Sequence, residues 1–330
     1  MRVDRRDLLA MLAGAAALPA LPLRALAQAY GKPDREAMVP VPGGRVYVRV
    51  NGDLGAPRPP LVIAHGGPGG THASYLGMLA LADERAVILY DQLDSGRSDH
   101  PEDPGNWRVP RFIDEAEAIR RALGIRRWHV MGHSWGGTIA LEYGASRPDA
   151  LAGLILASPL VSTRSWIADA NELRTRLPAD IQATLRACDP PQPLTPACGP
   201  ATEAFYAQFN DRVPPDPREV AYRALPGNRG FNAKLYNAMW GSSEFVATGT
   251  LKDYDGEPLL AKLDGARTLF ICGQYDEARP ETLLGFAYRV PGSEYAVVPG
   301  GSHGFPTDRP QETLGLLRPW LARQDALAKG

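Results

Sequence analysis

The most informative chemistry in the sequence lies in a short glycine-rich turn around Ser134. Residues 132–137 read GHSWGG, follow an apolar run at residues 128–131 and precede a segment of helical composition at residues 138–146. A G-x-S-x-G pattern between a strand and a helix is typical of a turn so tight that only small residues fit two positions on either side of the serine. The pattern predicts that Ser134 is a nucleophile for acyl transfer. The alternative is a glycine-rich turn that only begins a helix.

A serine nucleophile requires a base that takes its proton and a carboxylate that orients the base. His303 is the only histidine that follows Ser134, since the other five precede it. Asp276 lies four residues beyond an apolar run of strand type. Asp255 and Asp264 are the alternative acids, although neither follows a strand pattern. The chain order serine, acid, histidine therefore predicts a catalytic triad of Ser134, Asp276 and His303.

Acyl transfer also requires two backbone N–H groups directed at the negative oxygen that develops on the substrate carbonyl. The amide of Trp135, directly after the nucleophile, is predicted as one donor. The other is predicted in the loop HGGPGG at residues 65–70, where Gly67 allows close approach of the backbone. No Lys-Ser/Thr pair follows this loop, so the sequence does not support a phosphate-binding loop here.

The apolar runs of the sequence predict the scaffold that must position these residues. Seven short runs predict strands, at residues 45–50, 61–64, 86–90, 128–131, 154–157, 268–272 and 295–298. Several are continuously apolar, as expected for strands covered on both faces. Residues 112–123 have apolar side chains at helical spacing and predict a helix that ends at Gly124. The alternation of strands and helices predicts an α/β fold with a mostly parallel twisted sheet and helices on both faces.

The strand pattern is interrupted between residues 162 and 257. This stretch is rich in proline, arginine, aspartate and alanine and contains helical patterns at residues 167–176 and 217–224. We therefore predict a helical cap, residues 162–257, inserted between two parts of the core, residues 30–161 and 258–330. A cap at this point of the chain would cover the carboxyl ends of the strands, where α/β proteins bind ligands.

Composition and charge exclude several classes of protein. The 330 residues are 44% hydrophobic and 22% charged, which is ordinary for a globular protein and argues against disorder. There are 36 Lys and Arg residues against 37 Asp and Glu residues, so no basic excess is available to bind nucleic acid. No cluster of Cys and His indicates a metal, and the predicted chemistry needs no cofactor. The sequence does not indicate an oligomeric state.

The amino terminus, residues 1–29, is predicted to be an export signal of the twin-arginine type. It combines a charged head containing Arg5 and Arg6 with an Ala/Leu-rich stretch and small residues in an A-x-A pattern. Cleavage is expected after Ala27 or Ala29. A retained membrane anchor is the alternative, but prolines interrupt the apolar run, which is shorter than the ~20 residues of a spanning helix. We therefore expect a periplasmic or secreted protein with no stable membrane insertion after cleavage.

Export would bring the three cysteines into an oxidising compartment. Cys188 and Cys198 flank the proline-rich loop CDPPQPLTPAC and could form a disulfide there, with two unpaired thiols as the alternative. Cys272 lies in the apolar run TLFIC and is predicted to be a buried thiol.

Taken together, these motifs resemble those of the proline iminopeptidases, a serine peptidase family of α/β-hydrolases. The resemblance rests on HGGPGG at residues 65–70 with THASYL directly after it, on YDQLDSGRSD at residues 90–99, and on GHSWGG at residues 132–137. In the predicted cap, the segments YNAMWGSSEF (residues 236–245) and TGTLKD (residues 248–253) resemble the branch that includes the tricorn-interacting aminopeptidase and amino-acid amidases. The resemblance spans roughly residues 40–320.

The resemblance implies how a substrate would be held. The family binds the free amino group of its substrate with a glutamate of the cap and a glutamate directly after the catalytic aspartate, which are Glu244 and Glu277 here. A protonated amine that enters a partly desolvated pocket needs such carboxylate partners, although a glutamate is more often a solvated surface charge. Candidate walls for an apolar pyrrolidine ring are Trp240, Phe205, Tyr206, Trp166 and Phe245. Plain packing within the cap is the alternative for these aromatic residues.

The sequence departs from the family at Asp94, where the family usually has glycine. A carboxylate at this position could cap a turn or change the floor of the amine-binding pocket. The departure bears on specificity more than on fold.

We therefore expect an exported serine hydrolase that releases an amino-terminal residue, preferably proline, from short peptides or related amides. The nearest alternative is an amidase that acts on free amino-acid amides such as prolinamide and uses the same two carboxylates. A carboxylesterase or lactonase, which would not need to hold an amine, is a second alternative. A non-catalytic relative with the same fold is a third, although the complete set of Ser134, Asp276 and His303 argues against it.

Overall fold

A mostly parallel sheet forms the centre of the molecule. The computed structural model describes residues 25, 26 and 28–327. The eight strands of this described part are β1 (Arg35–Val41), β2 (Gly44–Asn51), β3 (Leu61–Ala64), β4 (Val87–Tyr90), β5 (Trp128–His133), β6 (Leu151–Ala157), β7 (Thr268–Gly273) and β8 (Glu294–Val298). Their order across the sheet is β1-β2-β4-β3-β5-β6-β7-β8. β2 pairs antiparallel with β1 and β4, and the other neighbours pair parallel, which confirms the predicted α/β fold.

The inner strands are buried on both faces because their sequences are continuously apolar. Every residue of β3, β4, β6 and β7 is buried, as expected for parallel strands covered by helices. All seven predicted strands form. The sequence does not predict β1, which reads REAMVPV and buries only Val39. An edge strand with a solvent-facing side lacks the apolar run that identifies a central strand.

The parallel register brings the loops with the predicted site residues to one edge of the sheet. Val130 of β5 pairs with Val62 of β3 and Leu154 of β6, and Leu154 pairs with Thr268 of β7. The carboxyl ends of these strands therefore lie side by side. The loops after β3, β5, β7 and β8 carry Gly67, Ser134, Asp276 and His303.

Helices cover both faces of the sheet. The α-helices are α1 (Val109–Ala122), α2 (Trp135–Ser146), α3 (Thr163–Arg174), α4 (Ala179–Ala187), α5 (Cys198–Phe209), α6 (Pro217–Arg223), α7 (Ala233–Met239), α8 (Pro280–Tyr288), α9 (Phe305–Asp308) and α10 (Pro310–Leu327). The 3-10 helices are Gln28–Tyr30, His72–Asp83, Pro104–Asn106, Pro148–Ala150, Glu257–Lys262 and Gly265–Arg267. Residues of α1, α2 and α8 share one apolar cluster, whereas residues of α10 and the 3-10 helix His72–Asp83 share another. The helix predicted at residues 112–123 is α1, which begins three residues earlier because Pro110 fits a first helical turn.

The predicted cap, residues 162–257, contains α3 to α7 and has an apolar cluster of its own. A disulfide joins Cys188, directly after α4, to Cys198 at the start of α5, so of the two alternatives the structure favours the bridge. Asn232, directly before α7, attaches this segment to the core. Its side chain donates to the Asp94 carbonyl at 2.8 Å, and its backbone N–H donates to the Gly69 carbonyl at 2.9 Å.

Two further sequence predictions concern the amino terminus and the remaining cysteine. The predicted export signal, residues 1–29, lies outside the described residues except for positions 25, 26, 28 and 29, so it stays a prediction. None of the helices that the structure describes is both long and apolar enough to cross a bilayer. Cys272 is fully buried in β7, as predicted.

Candidate active site

Ser134 lies in a sharp turn between β5 and α2. Its φ is +58°, a left-handed value that residues other than glycine rarely adopt. Glycine is required at positions 132 and 136 because a larger residue would not fit there. A Cβ on Gly132 would lie 2.0 Å from the carbonyl oxygen of Gly136, and a Cβ on Gly136 would lie 2.1 Å from that of Ala64. The backbone therefore has the strand, tight turn and helix predicted from the G-x-S-x-G pattern.

The predicted acid and base lie in direct contact. His303 Nδ1 is 2.8 Å from Asp276 Oδ1. The Asp276 carboxylate is almost fully buried and also accepts hydrogen bonds from the Gly273 N–H at 2.9 Å, the Ala278 N–H at 2.9 Å and the Ser158 hydroxyl. A carboxylate fixed in this way holds the imidazole in one orientation, with Nδ1 as the protonated nitrogen.

The loop of His303 is attached to the predicted cap. The His303 N–H donates to the Phe209 carbonyl at 2.9 Å, and the Gly304 N–H donates to the Asn210 carbonyl at 2.8 Å. His303 and Ser134 line the same cavity. Among residues 28–327, however, the Ser134 hydroxyl has no hydrogen-bond partner, so the structure does not bring Ser134 and His303 into a hydrogen bond.

The second nitrogen of His303 faces a different carboxylate. His303 Nε2 is 3.5 Å from Glu277 Oε1. Burial lowers the pKa of His303, but the carboxylates of Glu277 and Asp276 outweigh this effect and raise the pKa to about 9. Burial raises the pKa of Glu277, whereas the positive charge of the neighbouring imidazolium of His303 lowers it. Both side chains are thus held among negative charges in a desolvated environment.

The predicted N–H donors lie beside Ser134. Gly67 has φ +45° and lines the cavity together with Trp135. The neighbouring Gly66 N–H already donates to the Tyr75 hydroxyl at 3.2 Å, whereas the Gly67 N–H has no hydrogen-bond acceptor within residues 28–327. Trp135 is the first residue of α2, and the first N–H groups of a helix have no acceptor within it. The amides of Gly67 and Trp135 are therefore available to a substrate oxygen.

Tyr75 and His133 connect the glycine-rich loop to the loop of His303. The sequence does not predict this connection. The Tyr75 hydroxyl is 2.8 Å from His133 Nδ1, and His133 Nε2 is 2.7 Å from the His303 carbonyl oxygen. Burial lowers the pKa of His133 to about 3, so its imidazole is neutral. A neutral ring that donates from Nε2 accepts at Nδ1 from the tyrosine. Only its place directly before the nucleophile could have drawn attention to His133.

Glu244 and Glu277, the two carboxylates predicted to hold an amine, are buried and line the cavity. Glu244 Oε1 accepts hydrogen bonds from the Tyr206 hydroxyl at 2.7 Å and from the Tyr236 hydroxyl. Glu277 Oε1 accepts from Asn210 Nδ2 at 2.9 Å. Glu277 Oε2 is buried and has no partner among the described residues. A buried carboxylate oxygen without a donor is costly, and a ligand N–H would remove that cost.

The cavity has a volume of about 770 Å³ and lies between the core and the predicted cap. Trp240, Tyr206 and Trp166 line it, as the sequence predicts. The prediction that Phe205 is a pocket wall is wrong, because Phe205 is fully buried and packs against Phe209 and Phe245 inside the cap. The position of an aromatic residue in a helix does not show whether its side chain lines a cavity or packs in the interior next to it.

Asp94 is fully buried and is not part of the cavity wall. Its carboxylate accepts from the Glu102 N–H and from Trp107 Nε1, each at 2.8 Å. Its φ of +63° explains why glycine suits this position. Asp94 thus caps a turn, which is one of the two alternatives.

The rival acids lie elsewhere. The Asp255 carboxylate accepts from the Glu257 N–H at 3.0 Å. The Asp264 carboxylate accepts from the Ala266 N–H at 3.1 Å and pairs with Arg267. Neither carboxylate is among the partners of His303.

Fold and site together define an α/β-hydrolase, and a family profile described as alpha/beta hydrolase fold matches residues 59–310. The chain is 36% identical to the proline iminopeptidase of Heyndrickxia coagulans, over 87% of this chain and 98% of that protein. The crystal structure of proline iminopeptidase from Mycobacterium smegmatis is 33% identical with a TM-score of 0.77, covering 89% of this chain and 100% of that one. The crystal structure of VinJ is 32% identical with a TM-score of 0.78, covering 88% of this chain and 99% of that one. The chain belongs to the proline iminopeptidase family of α/β-hydrolases.

Proposed function

We propose that this hydrolase releases an amino-terminal residue, preferably proline, from short peptides or amides through an acyl-enzyme. The observation that carries the proposal is Glu277 Oε2, a buried oxygen without a donor in the cavity that Ser134 also lines. Glu244 borders the same cavity. Two carboxylates at one end of a cavity favour a cationic ligand, and a free amino terminus is the cation that a peptide can present there.

In the proposed reaction the Ser134 oxygen attacks the substrate carbonyl while His303 Nε2 accepts the hydroxyl proton. Asp276 orients the imidazole through the 2.8 Å contact at Nδ1. The N–H groups of Gly67 and Trp135 stabilise the negative oxygen of the tetrahedral intermediate. His303 then gives its proton to the leaving amine, and water hydrolyses the acyl-enzyme with His303 again as the base.

Proline fits the proposed amine site because of its donor count. A protonated prolyl amine carries two N–H groups, which matches one carboxylate each from Glu244 and Glu277. The indole rings of Trp166 and Trp240, whose centroids lie 6.3 Å apart, offer apolar surface for the pyrrolidine ring.

The direct test compares arylamides of proline, alanine and N-acetylproline as substrates. We expect hydrolysis in the order proline, alanine, N-acetylproline, and loss of all three activities in Ser134→Ala. Equal rates on the free and the acetylated prolyl arylamide would reject the proposed amine site. An unchanged rate in Ser134→Ala would reject the nucleophile.

The extent of the cavity favours peptides and larger amides over free amino-acid amides. Val213, Pro215 and Val220 also line it, and its volume of about 770 Å³ offers apolar space for a leaving group larger than ammonia. We therefore expect a higher kcat/KM on a prolyl dipeptide or prolyl arylamide than on prolinamide. A preference for prolinamide would favour the amidase alternative.

We further propose that the protein acts outside the cytoplasm after export by the twin-arginine signal. The Cys188–Cys198 disulfide supports this, since such bonds persist in oxidising compartments. Cell fractionation of the full-length protein should recover a shortened chain in the periplasm or medium. Changing Arg5 and Arg6 to lysine should retain it inside the cell.

A further inference from the structure

We infer that Glu277 controls the catalytic base as well as the substrate amine: in the free enzyme it pairs with His303 Nε2, and the ammonium group of a bound substrate releases that nitrogen for Ser134. This inference rests on the proposed function. It adds that the amine is required for the chemical step and not for binding alone.

The geometry gives each oxygen of Glu277 a different environment. Oε1 lies 3.5 Å from His303 Nε2 and accepts a hydrogen bond from Asn210 Nδ2 at 2.9 Å. Oε2 is buried and has no partner among the described residues. Nε2 is the nitrogen that must accept the Ser134 proton, yet within the described chain it faces Glu277 and not Ser134. The free site is thus arranged for an imidazolium facing a carboxylate.

The charged groups around His303 strengthen this pairing. Asp276 and Glu277 contact it from the loop after β7, and Asp211 acts on it from the loop after α5. His133 at the end of β5 is neutral because burial lowers its pKa. Glu244 adds a negative charge next to Glu277. The arginine that lines this cavity, Arg223, is already paired with Glu219 at 2.6 Å.

A substrate ammonium changes this balance. Placed against Glu277 Oε2, it neutralises the carboxylate and adds a positive charge close to the imidazolium, and both effects lower the pKa of His303. The Nε2 proton then leaves to solvent, one proton for each ammonium bound, and neutral Nε2 can accept the Ser134 proton. A substrate without an ammonium group meets a base that is still protonated near pH 7, because the pKa of His303 in the free enzyme is raised to about 9.

The first test follows the pH dependence of hydrolysis of 4-nitrophenyl acetate, an ester without an amine. In the wild type, kcat/KM should rise with pH through an ionisation near pH 9. In Glu277→Gln this ionisation should move down by ~1 pH unit or more, so that ester hydrolysis at pH 7 increases several-fold. The same variant should lose prolyl arylamide hydrolysis.

Glu244→Gln is the matched control. It also removes one carboxylate of the proposed amine site, but Glu244 forms no ion pair with His303 among the described residues. It should therefore lose prolyl arylamide hydrolysis while shifting the ester ionisation much less than Glu277→Gln does. An unshifted ester profile in Glu277→Gln, or equal shifts in both variants, would overturn the inference while leaving the amine site intact. If the wild type does not cleave prolyl arylamide, the proposed function fails and this inference fails with it.

The second test keeps Glu277 in place and so does not depend on the folding of its variant. The imidazole signals of His303 are followed by NMR in Ser134→Ala at pH 7, with and without saturating prolinamide. The inference expects an imidazolium in the free protein, because the pKa of His303 is raised to about 9, and a neutral imidazole in the complex. An imidazolium that persists in the complex would overturn it.

Discussion

At the scale of single residues, the Asp276 carboxylate depends on Ser158, which lies 118 positions away in the chain and donates to Asp276 Oδ2. Ser158 follows β6 directly and has φ +43°, so its backbone is held in an uncommon conformation. A donor to the carboxylate that orients His303 holds that carboxylate in place.

Ser158→Ala should lower kcat for prolyl arylamide by about tenfold with little change in KM, because a hydrogen bond to a charged group is worth ~1.5–3 kcal/mol. Steady-state kinetics measure both constants. The control is Ser146→Ala, since within residues 28–327 the Ser146 hydroxyl bonds only to carbonyls of its own helix. A rise in KM with unchanged kcat would contradict a role in orienting the base.

The two tyrosines that hold Glu244 give a second prediction at this scale. Tyr236→Phe or Tyr206→Phe removes one donor to Glu244 Oε1 and should raise KM for prolyl arylamide by roughly tenfold. Hydrolysis of 4-nitrophenyl acetate should not change. Tyr288→Phe, at a largely exposed position, serves as the control. Equal losses on the two substrates would indicate a general packing defect.

At the scale of elements, α10 is fixed to the sheet by a buried ionic group. Asp325 of α10 accepts from Arg85 at 2.9 and 2.8 Å and lies 3.0 Å from His129 Nε2 of β5. The side chain of Arg85 is fully buried. Loss of one partner would leave the buried charge of the other without compensation.

Asp325→Asn should therefore lower the free energy of unfolding at pH 7 by about 3 kcal/mol or more. Burial raises the pKa of Asp325, but hydrogen bonds from His129 and Arg85 outweigh this and lower it to about 2. A lowered carboxylate pKa stabilises the fold fully above about pH 4, and this stabilisation is lost as the pH falls towards 2. Urea unfolding should show the wild type converging on Asp325→Asn over that range. A constant difference down to pH 2 would contradict the assignment.

At the scale of the whole molecule, the predicted cap supplies parts of the site that the core lacks. Asp189, next to the disulfide, accepts from Ser243 Oγ at 2.9 Å, and Ser243 directly precedes Glu244. Asn210 after α5 holds Glu277. The stability of the cap and the strength of the amine site are therefore linked.

Replacing both Cys188 and Cys198 by serine should lower the Tm and raise KM for prolyl arylamide by a few-fold. Closure of such a short loop contributes ~2–3 kcal/mol. Differential scanning fluorimetry with and without reductant measures the first effect, and the reductant should not affect the variant. An unchanged KM in the double variant would show that the disulfide does not affect the proposed amine site.

The sequence predicts local features of this molecule far better than contacts between distant segments. The position of Ser134 follows from one tight turn, and His303 is the one histidine after it. Asn210 has no such signature, because its role depends on the loops after α5 and β7 meeting in space, 67 residues apart in the chain. Phe205 is a further example. Its aromatic side chain suggests a pocket wall, but it packs against Phe245 inside the cap, and this contact cannot be predicted from the residue type.

The buried carboxylates and their tyrosine partners line the same cavity as Ser134. Under the proposed function a chain must place its free amino terminus against Glu244 and Glu277, so the enzyme would trim a polypeptide only from its start. Each cleavage exposes a new amino terminus, which the same carboxylates can bind. A folded protein whose first residue is packed or acylated offers no free amine and would not be a substrate.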